Sequence, residues 1–470
     1  MTPQTPSLAD VVVHYVQAAM PIASANLQQG ELIGLPTGRW SAQGQGQFQR
    51  EDATQVSWVV AIDHRKDRLH ALPEYEDAVA LIQRNEEWAR QFDHLVGTRY
   101  MRAHLDLAQF LDGCLGEALA ASLEGRDPLA AAAARASSTE EFLNSRDVTI
   151  ETFAPLLGFH SHGLGPVELT ADLRLGPIDE AELERLFTAG LLTPSFPRWP
   201  FFAPPSHTVR VRYRTPKGVG ELDASPRLPP EDPAKAVGET LEELVACLRV
   251  FQPGLIAIGG KASTMPPPSG GYQVHERSAG HPLFVGHMGP FLPNTYVLGE
   301  SEVPTLQTLW REMHSPGFRV SKQLALAVRR FAYKGERRRV DDQLVDLIVA
   351  AEALFLGDGD ESRGELRFRL SSRAACYIRD PSRSRRSIYR LFMAAYVLRS
   401  RLVHGSEAKP INVAGEEMSP AQVVEVIEDL LRVALNQAIS EAASDSTTWA
   451  VDWEALLFPE PNASATSSSP

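Results

Sequence analysis

The sequence predicts a multidomain protein: an N-terminal α+β region over residues 1–303, then an all-α helical bundle over residues 304–445. Three observations lead there. The 470 residues exceed what one ordinary hydrophobic core holds. Up to residue 303, strand-like and helix-like runs alternate between proline clusters. From Pro304 onward, apolar residues recur at three- and four-residue steps with only short breaks.

In the N-terminal region, Val56 to Ile62 is rich in β-branched and aromatic residues and predicts a strand. Helical stretches follow from Tyr75 to His94, from Arg99 to Ser122, and in the alanine-rich run Leu129 to Ala136. Thr208 to Arg214 alternates cleanly and predicts a half-buried strand at an edge or in a hairpin. Leu255 to Gly259 is a short apolar run stopped by two glycines. Proline clusters lie at Pro194 to Pro205, Pro226 to Pro233 and Pro266 to Pro268.

The second region predicts five amphipathic helices. They cover Leu306 to Tyr333 (interrupted near Pro316-Gly317), Val340 to Leu356, Glu365 to Ile378, Ser387 to His404, and a last one to about Glu441. Ser419 supplies an N-cap ahead of a proline for the last helix, and Gly405 follows His404 as expected just past a helix end. Residues 446–470, acidic and serine-rich, are expected to be mostly disordered.

The net charge of −13 is unevenly spread. Thr305 to Pro410 holds 21 Lys and Arg against 12 Asp and Glu, whereas the rest of the chain from Ile411 holds one Arg against 10 acids. A basic module within an acidic protein suits a phosphate-bearing partner such as RNA, or is simply a solvated helical surface. Cys114, Cys247 and Cys376 sit in no metal or redox spacing and fit a reducing, cytoplasmic setting. The start MTPQTPSLAD lacks a positive segment ahead of an apolar one, so no signal peptide is expected. The longest apolar stretches, such as Leu344 to Phe355, carry acids and are too short to span a bilayer. The glycosylation pattern Asn462-Ala-Ser464 is therefore without meaning here.

One pair of residues carries the chemistry best. An Arg-x4-His spacing occurs three times, at Arg65/His70, Arg99/His104 and Arg399/His404, so the spacing alone says little. The third differs in context. Arg399 continues the apolar line Ile388, Phe392, Ala395, where a charge needs a partner, an interface or a cleft. His404 closes the same helix, whose negative end favours the protonated ring. An arginine able to grip a phosphate with two donors, beside a histidine able to move a proton, suits phosphodiester cleavage. RNA brings its own nucleophile, the 2′-hydroxyl, so no metal and no cofactor is required. Five helical positions set the two side chains about 140° apart on an ideal helix. The helix end must therefore distort, or a second copy must complete the site.

The run DDQLVDLIVAAEALFLGDGDESRGELRFRLSSRAACYIRD, followed by SIYRLFMAAYVLRSRLVHGS, resembles the Apea-like HEPN domain over Arg339 to His404. The resemblance implies an all-helical bundle that forms homodimers, with motifs from two protomers lining one cleft. It implies a metal-independent endoribonuclease of the kind found in bacterial defence, toxin–antitoxin and abortive-infection systems. His404 would be the general acid/base, and Arg399 would bind the scissile phosphate. Glu352, Arg369 and Arg373 match recurrent polar positions, with an ion-pair network inside the bundle as their structural alternative. Ser400 departs from the Asn, Asp or His of many active members. His404-Gly-Ser406 lacks the tyrosine of the subgroup silenced by adenylylation. The competing expectation is a non-catalytic HEPN module for dimerisation or for RNA or nucleotide binding. On the nuclease reading, an activity that would harm its host needs a gate, so residues 1–303 are expected to sense a trigger that the sequence does not name.

Other signals are weaker. Arg329, Arg330, Arg337, Arg338 and Arg339, with Phe331 and Tyr333 interleaved, could follow an RNA backbone or form a charged turn. Gly254 to Lys261 fails the phosphate-loop pattern, because Leu255 is not glycine and Ala262 is neither Ser nor Thr. His160, His162, His275, His281 and His287 have no acid or cysteine at ligand spacing, so no metal is expected.

Overall fold

A computed structural model describes residues 6–27, 31, 33–43, 47–92, 94–97, 102–161, 163–179, 182–183, 186, 206–220, 233–265, 272–273, 296–337, 339–357, 365–404, 409–413 and 415–458. The proline clusters, apart from Pro233, together with Arg99, Arg338, Gly405, His162, His275, His281 and His287, lie outside these residues.

The chain begins with helix α1 (Leu8–Ser24), started by a capping box in which the Ser7 hydroxyl and the Asp10 carboxylate satisfy each other's backbone N–H groups. It packs with α2 (Pro73–Arg84), α3 (Leu107–Leu123) and α4 (Pro128–Asn144) around one apolar core that includes Tyr15, Ile82, Leu111 and Leu115. An antiparallel hairpin of β1 (Ile33–Gln43) and β2 (Gln47–Ser57) extends from this lobe.

A six-stranded sheet follows. The strands β3 (Asp147–Leu157), β4 (Val167–Thr170), β5 (Leu173–Pro177), β6 (His207–Pro216) and β7 (Ala257–Ile258) lie in the order β7-β3-β6-β5-β4, and β8 (Ala262–Thr264) also pairs with β3. Every pairing is antiparallel. Helix α5 (Pro233–Phe251) packs on β6 and β7. Beyond it stand α6 (Val303–Met313), α7 (Lys322–Tyr333), α8 (Val340–Phe355), α9 (Leu366–Tyr377), α10 (Arg385–Val403) and α11 (Pro420–Ala443). Ser419 caps α11 with Gln422 in a capping box.

The change of texture at Pro304 is not a break in packing. A single apolar core runs from Ala154 and Leu156 in the sheet, through Leu244 and Leu248 of α5, to Leu347, Phe392 and Leu431 of the bundle. Hydrogen bonds reinforce it. The Arg249 guanidinium, 7% exposed, donates to the carbonyls of Ala332 at 2.5 Å and Ile256 at 3.0 Å, and pairs with Glu336 at 3.3 Å. From α11, Asn436 donates to the Val250 carbonyl at 3.0 Å and Arg432 to that of Arg249 at 3.3 Å.

Several expectations need correction. Trp58 does not continue a strand; the chain turns helical over Val59–Asp63, because Trp58, Ala61 and Ile62 bury at helical spacing in the N-terminal core. The helix expected over Tyr75 to His94 stops at Arg84, since Asn85 caps a second short helix, Glu86–Ala89, by accepting from the backbone of Glu87 and Trp88. Residues 102–104 form a strand before α3, so His104 does not lie on a helix. β6 is a central strand and not an edge. Two of its alternating arginines are tolerated there because they meet carboxylates, Arg210 with Glu182 and Asp179, and Arg212 with Glu151 at 2.8 Å. The interruption near Pro316-Gly317 resolves into a short helix, Pro316–Val320, in which Gly317 lies so close to the carbonyls of Ala442 and Asp445 that a Cβ would fall 2.1 Å from each.

The chain after residue 446 is also partly ordered. Trp449 donates its backbone N–H to Ser321, and α12 (Trp453–Leu457) sets Trp453, 9% exposed, against Phe355, Tyr377 and the Arg373 guanidinium. Aromatic burial outweighs the polar composition of the tail as far as Phe458. Trp453→Ala should destabilise the bundle by about 3–5 kcal/mol in denaturant unfolding. A loss below 1 kcal/mol would mean that α12 is only loosely attached.

At the start of β6, His207 is 7% exposed, with Nε2 2.7 Å from the Ser161 hydroxyl and Nδ1 2.8 Å from the Ser206 hydroxyl. Burial, aided by nearby His160, brings its pKa down to about 4. In the unfolded chain the ring takes up its proton below the usual histidine pKa, whereas the folded protein resists until about pH 4. This stabilising contribution is therefore complete at neutral pH and lost as pH falls. Between pH 7.5 and 5, wild type should lose about 2 kcal/mol more stability than His207→Gln. Parallel pH profiles of the two proteins would refute this assignment.

Candidate functional site

α10 carries the pair singled out in the sequence. Ser384 caps its start by accepting from the Ser387 backbone, and the helix ends at Val403 with His404 as its C-cap. Ile388, Leu391, Phe392, Ala395 and Leu398 bury against α8, α9 and α11. That packing turns Arg399 toward α8.

There Arg399 meets Glu352, its Nη2 3.8 Å from the carboxylate, with both side chains about a quarter exposed, at 26% and 27%. Arg399 Nε is buried with no hydrogen-bond acceptor among the described residues, and its guanidinium carbon lies 6.0 Å from the centre of the Tyr396 ring. Burial raises the Glu352 pKa above the ordinary carboxylate range, against the opposing pull of Arg399 and of a hydrogen bond with Tyr396. The Tyr396 hydroxyl is likewise pushed up by burial and by Glu352. The site is thus a triad of Glu352, Tyr396 and Arg399 in a half-buried recess. Tyr396 was missed in the sequence, although its position three residues before Arg399 on one helix face is the signal that could have found it.

His404 stands apart. It is exposed, and its backbone N–H bonds to the Ser400 carbonyl. Among the described residues no hydrogen bond or ion pair joins it to Arg399. Ser400 is half-buried on the same helix. One protomer therefore brings Arg399 to Glu352 but does not bring His404 to either.

The supporting arginines divide. Arg373 is 8% exposed, donates to the Phe355 carbonyl at 2.8 Å and lies 4.9 Å from the Trp453 ring centre, so it fastens α8, α9 and α12 together. Arg369 lies half-buried one turn earlier on α9. The basic run is largely committed to acids. Asp346, 4% exposed, receives Arg330 at 3.4 Å and Arg337 at 2.6 Å; Arg339 pairs with Asp341 at 2.9 Å, and Lys334 with Glu428. Arg329 is exposed and lines a cavity between α5 and α7.

Of the two other Arg-x4-His matches, Arg65/His70 is held by structural contacts, and Arg99 lies outside the described residues. Arg65 binds Glu31 at 2.9 Å and the carbonyls of Ala61 and Ala25, while His70 pairs with Asp112 at 3.2 Å and stacks on Tyr75. His104 is in the strand before α3. Among the described residues no three His, Cys, Asp or Glu side chains gather as a metal site, and no helix is long and apolar enough to cross a membrane. No protein-family model matches this chain, and no curated protein or solved structure proved similar to it.

Proposed function

We propose that the protein is a HEPN-type, metal-independent endoribonuclease in which Arg399 binds the scissile phosphate and His404 moves the proton for attack by the RNA 2′-hydroxyl. The observation that carries this reading is the state of Arg399. Among the described residues its one carboxylate partner is 3.8 Å away, beyond hydrogen-bond distance, and a quarter of the side chain is exposed, so the guanidinium retains Nη donors for an incoming phosphate. His404 is exposed at the C-terminal end of α10, where a bound substrate can reach its ring.

A homodimer completes the site. Val403, 56% exposed, ends α10 beside His404, and Phe368, 52% exposed, packs edge-on against Tyr389 toward the start of the same helix, so each end offers an apolar side chain for a second copy to cover. A second copy there would bring its own His404 toward Arg399. The regulatory role proposed for the N-terminal region draws on the core shared between α5 and the bundle and on the Arg249 bond to the Ala332 carbonyl, which join the two regions physically.

The second reading, a non-catalytic HEPN module for dimerisation or RNA binding, draws on the Arg399–Glu352 contact, which engages the arginine within its own bundle. The two are separated by incubating wild type, Arg399→Ala and His404→Ala with RNA in EDTA. Cleavage by wild type alone supports the nuclease. Binding without cleavage by any of them supports the module.

A further inference from the structure

A cavity of about 510 Å³ opens between α5, the corner joining α6 to Pro316–Val320, and α7. Its size is that of a small-ligand site, and it sits between structural units, where such sites concentrate. The floor is apolar, built by Val245, Met313, Phe318 and Val328, each less than a tenth exposed. The rim is charged, and most of its charges are already matched. Glu336 faces Arg249, Glu243 faces His314 at 3.2 Å, and Glu239 faces Lys235 at 3.7 Å.

Three rim charges have no ion-pair partner among the described residues: Arg319 and Arg329, both exposed, and Glu242. Arg319 and Arg329 are thus the rim cations left to meet a ligand above the apolar floor. We infer that this cavity binds an amphiphilic monoanion, a small aliphatic or aromatic body carrying one carboxylate or one phosphodiester. The body fills the floor and the head meets Arg319 and Arg329, while Glu242 disfavours a second negative charge. The site stands independently of the ribonuclease reading.

The test uses the full chain and the dye 8-anilino-1-naphthalenesulfonate, itself an aromatic monoanion. Wild type should show one saturable site. The double variant Arg319→Glu/Arg329→Glu, at exposed positions, should bind at least tenfold more weakly while keeping the wild-type melting temperature. Displacement by decanoate assigns a carboxylate ligand, and displacement by diphenyl phosphate a phosphodiester. No saturable binding, a double variant within twofold of wild type, or displacement by neither competitor would each overturn the inference.

Discussion

Replacing His404 with alanine is expected to slow RNA cleavage by about 10²–10⁴-fold, the range contributed by a positioned proton-transfer group. His404 is exposed at the end of α10 and fastens nothing in the core, so its loss should leave the melting temperature unchanged. Arg399→Ala is expected to cost about 10²–10³-fold, as for removal of one group that stabilises developing charge. It also leaves Glu352 without its cation, and a slower enzyme could then be a less stable one. Arg399→Lys separates the two effects. The lysine keeps a positive charge beside Glu352 but not the two-pronged donor geometry that fits a phosphate. We therefore expect a stable protein with most of its activity gone. Full activity in Arg399→Lys would show that charge alone suffices.

Arg249→Met is expected to destabilise the protein by about 3–5 kcal/mol, the cost of breaking a buried charge network by removing one member. The methionine fills the volume of the aliphatic stem but leaves the carbonyls of Ala332 and Ile256 and the Glu336 carboxylate without their donor. Because one core includes both the sheet and the helices, the loss should appear in a single transition covering strand and bundle signals. Two transitions, with only the strand signal shifted, would mean that α5 is an accessory to an independent bundle.

The helices after Pro304 were legible in the sequence because each buries one face and announces its ends. Ser419 ahead of Pro420 satisfies orphan backbone donors, and the three- and four-residue apolar steps give the rest, whereas the Ser384 cap sets the start of α10 before the expected Ser387. The N-terminal half was less legible because local preference and packing disagree there. Val56 to Ile62 favours a strand by composition, yet Trp58, Ala61 and Ile62 find burial only as a helical turn. The partners of the basic run were hidden for a different reason. In the sequence Arg330 and Arg337 fit either an RNA-following run or a charged turn, and both reach Asp346, an acid buried inside an apolar helix. Long-range contacts of this kind leave no local pattern. Arg399 reads as a charge on an apolar stripe, whereas Glu352 is marked only by the HEPN resemblance. Tyr396 between them went unnoticed because a tyrosine in a core stripe needs no explanation.

The most direct measurement of the central claim is the chemistry of the cut ends, read by mass spectrometry on a defined RNA cleaved in EDTA. If Arg399 and His404 direct the 2′-hydroxyl onto its own phosphate, the 5′ fragment carries a 2′,3′-cyclic phosphate, and a single 2′-deoxy substitution at the cut position blocks cleavage there. Cleavage that survives the 2′-deoxy substitution, or that persists unchanged in His404→Ala, would contradict the account.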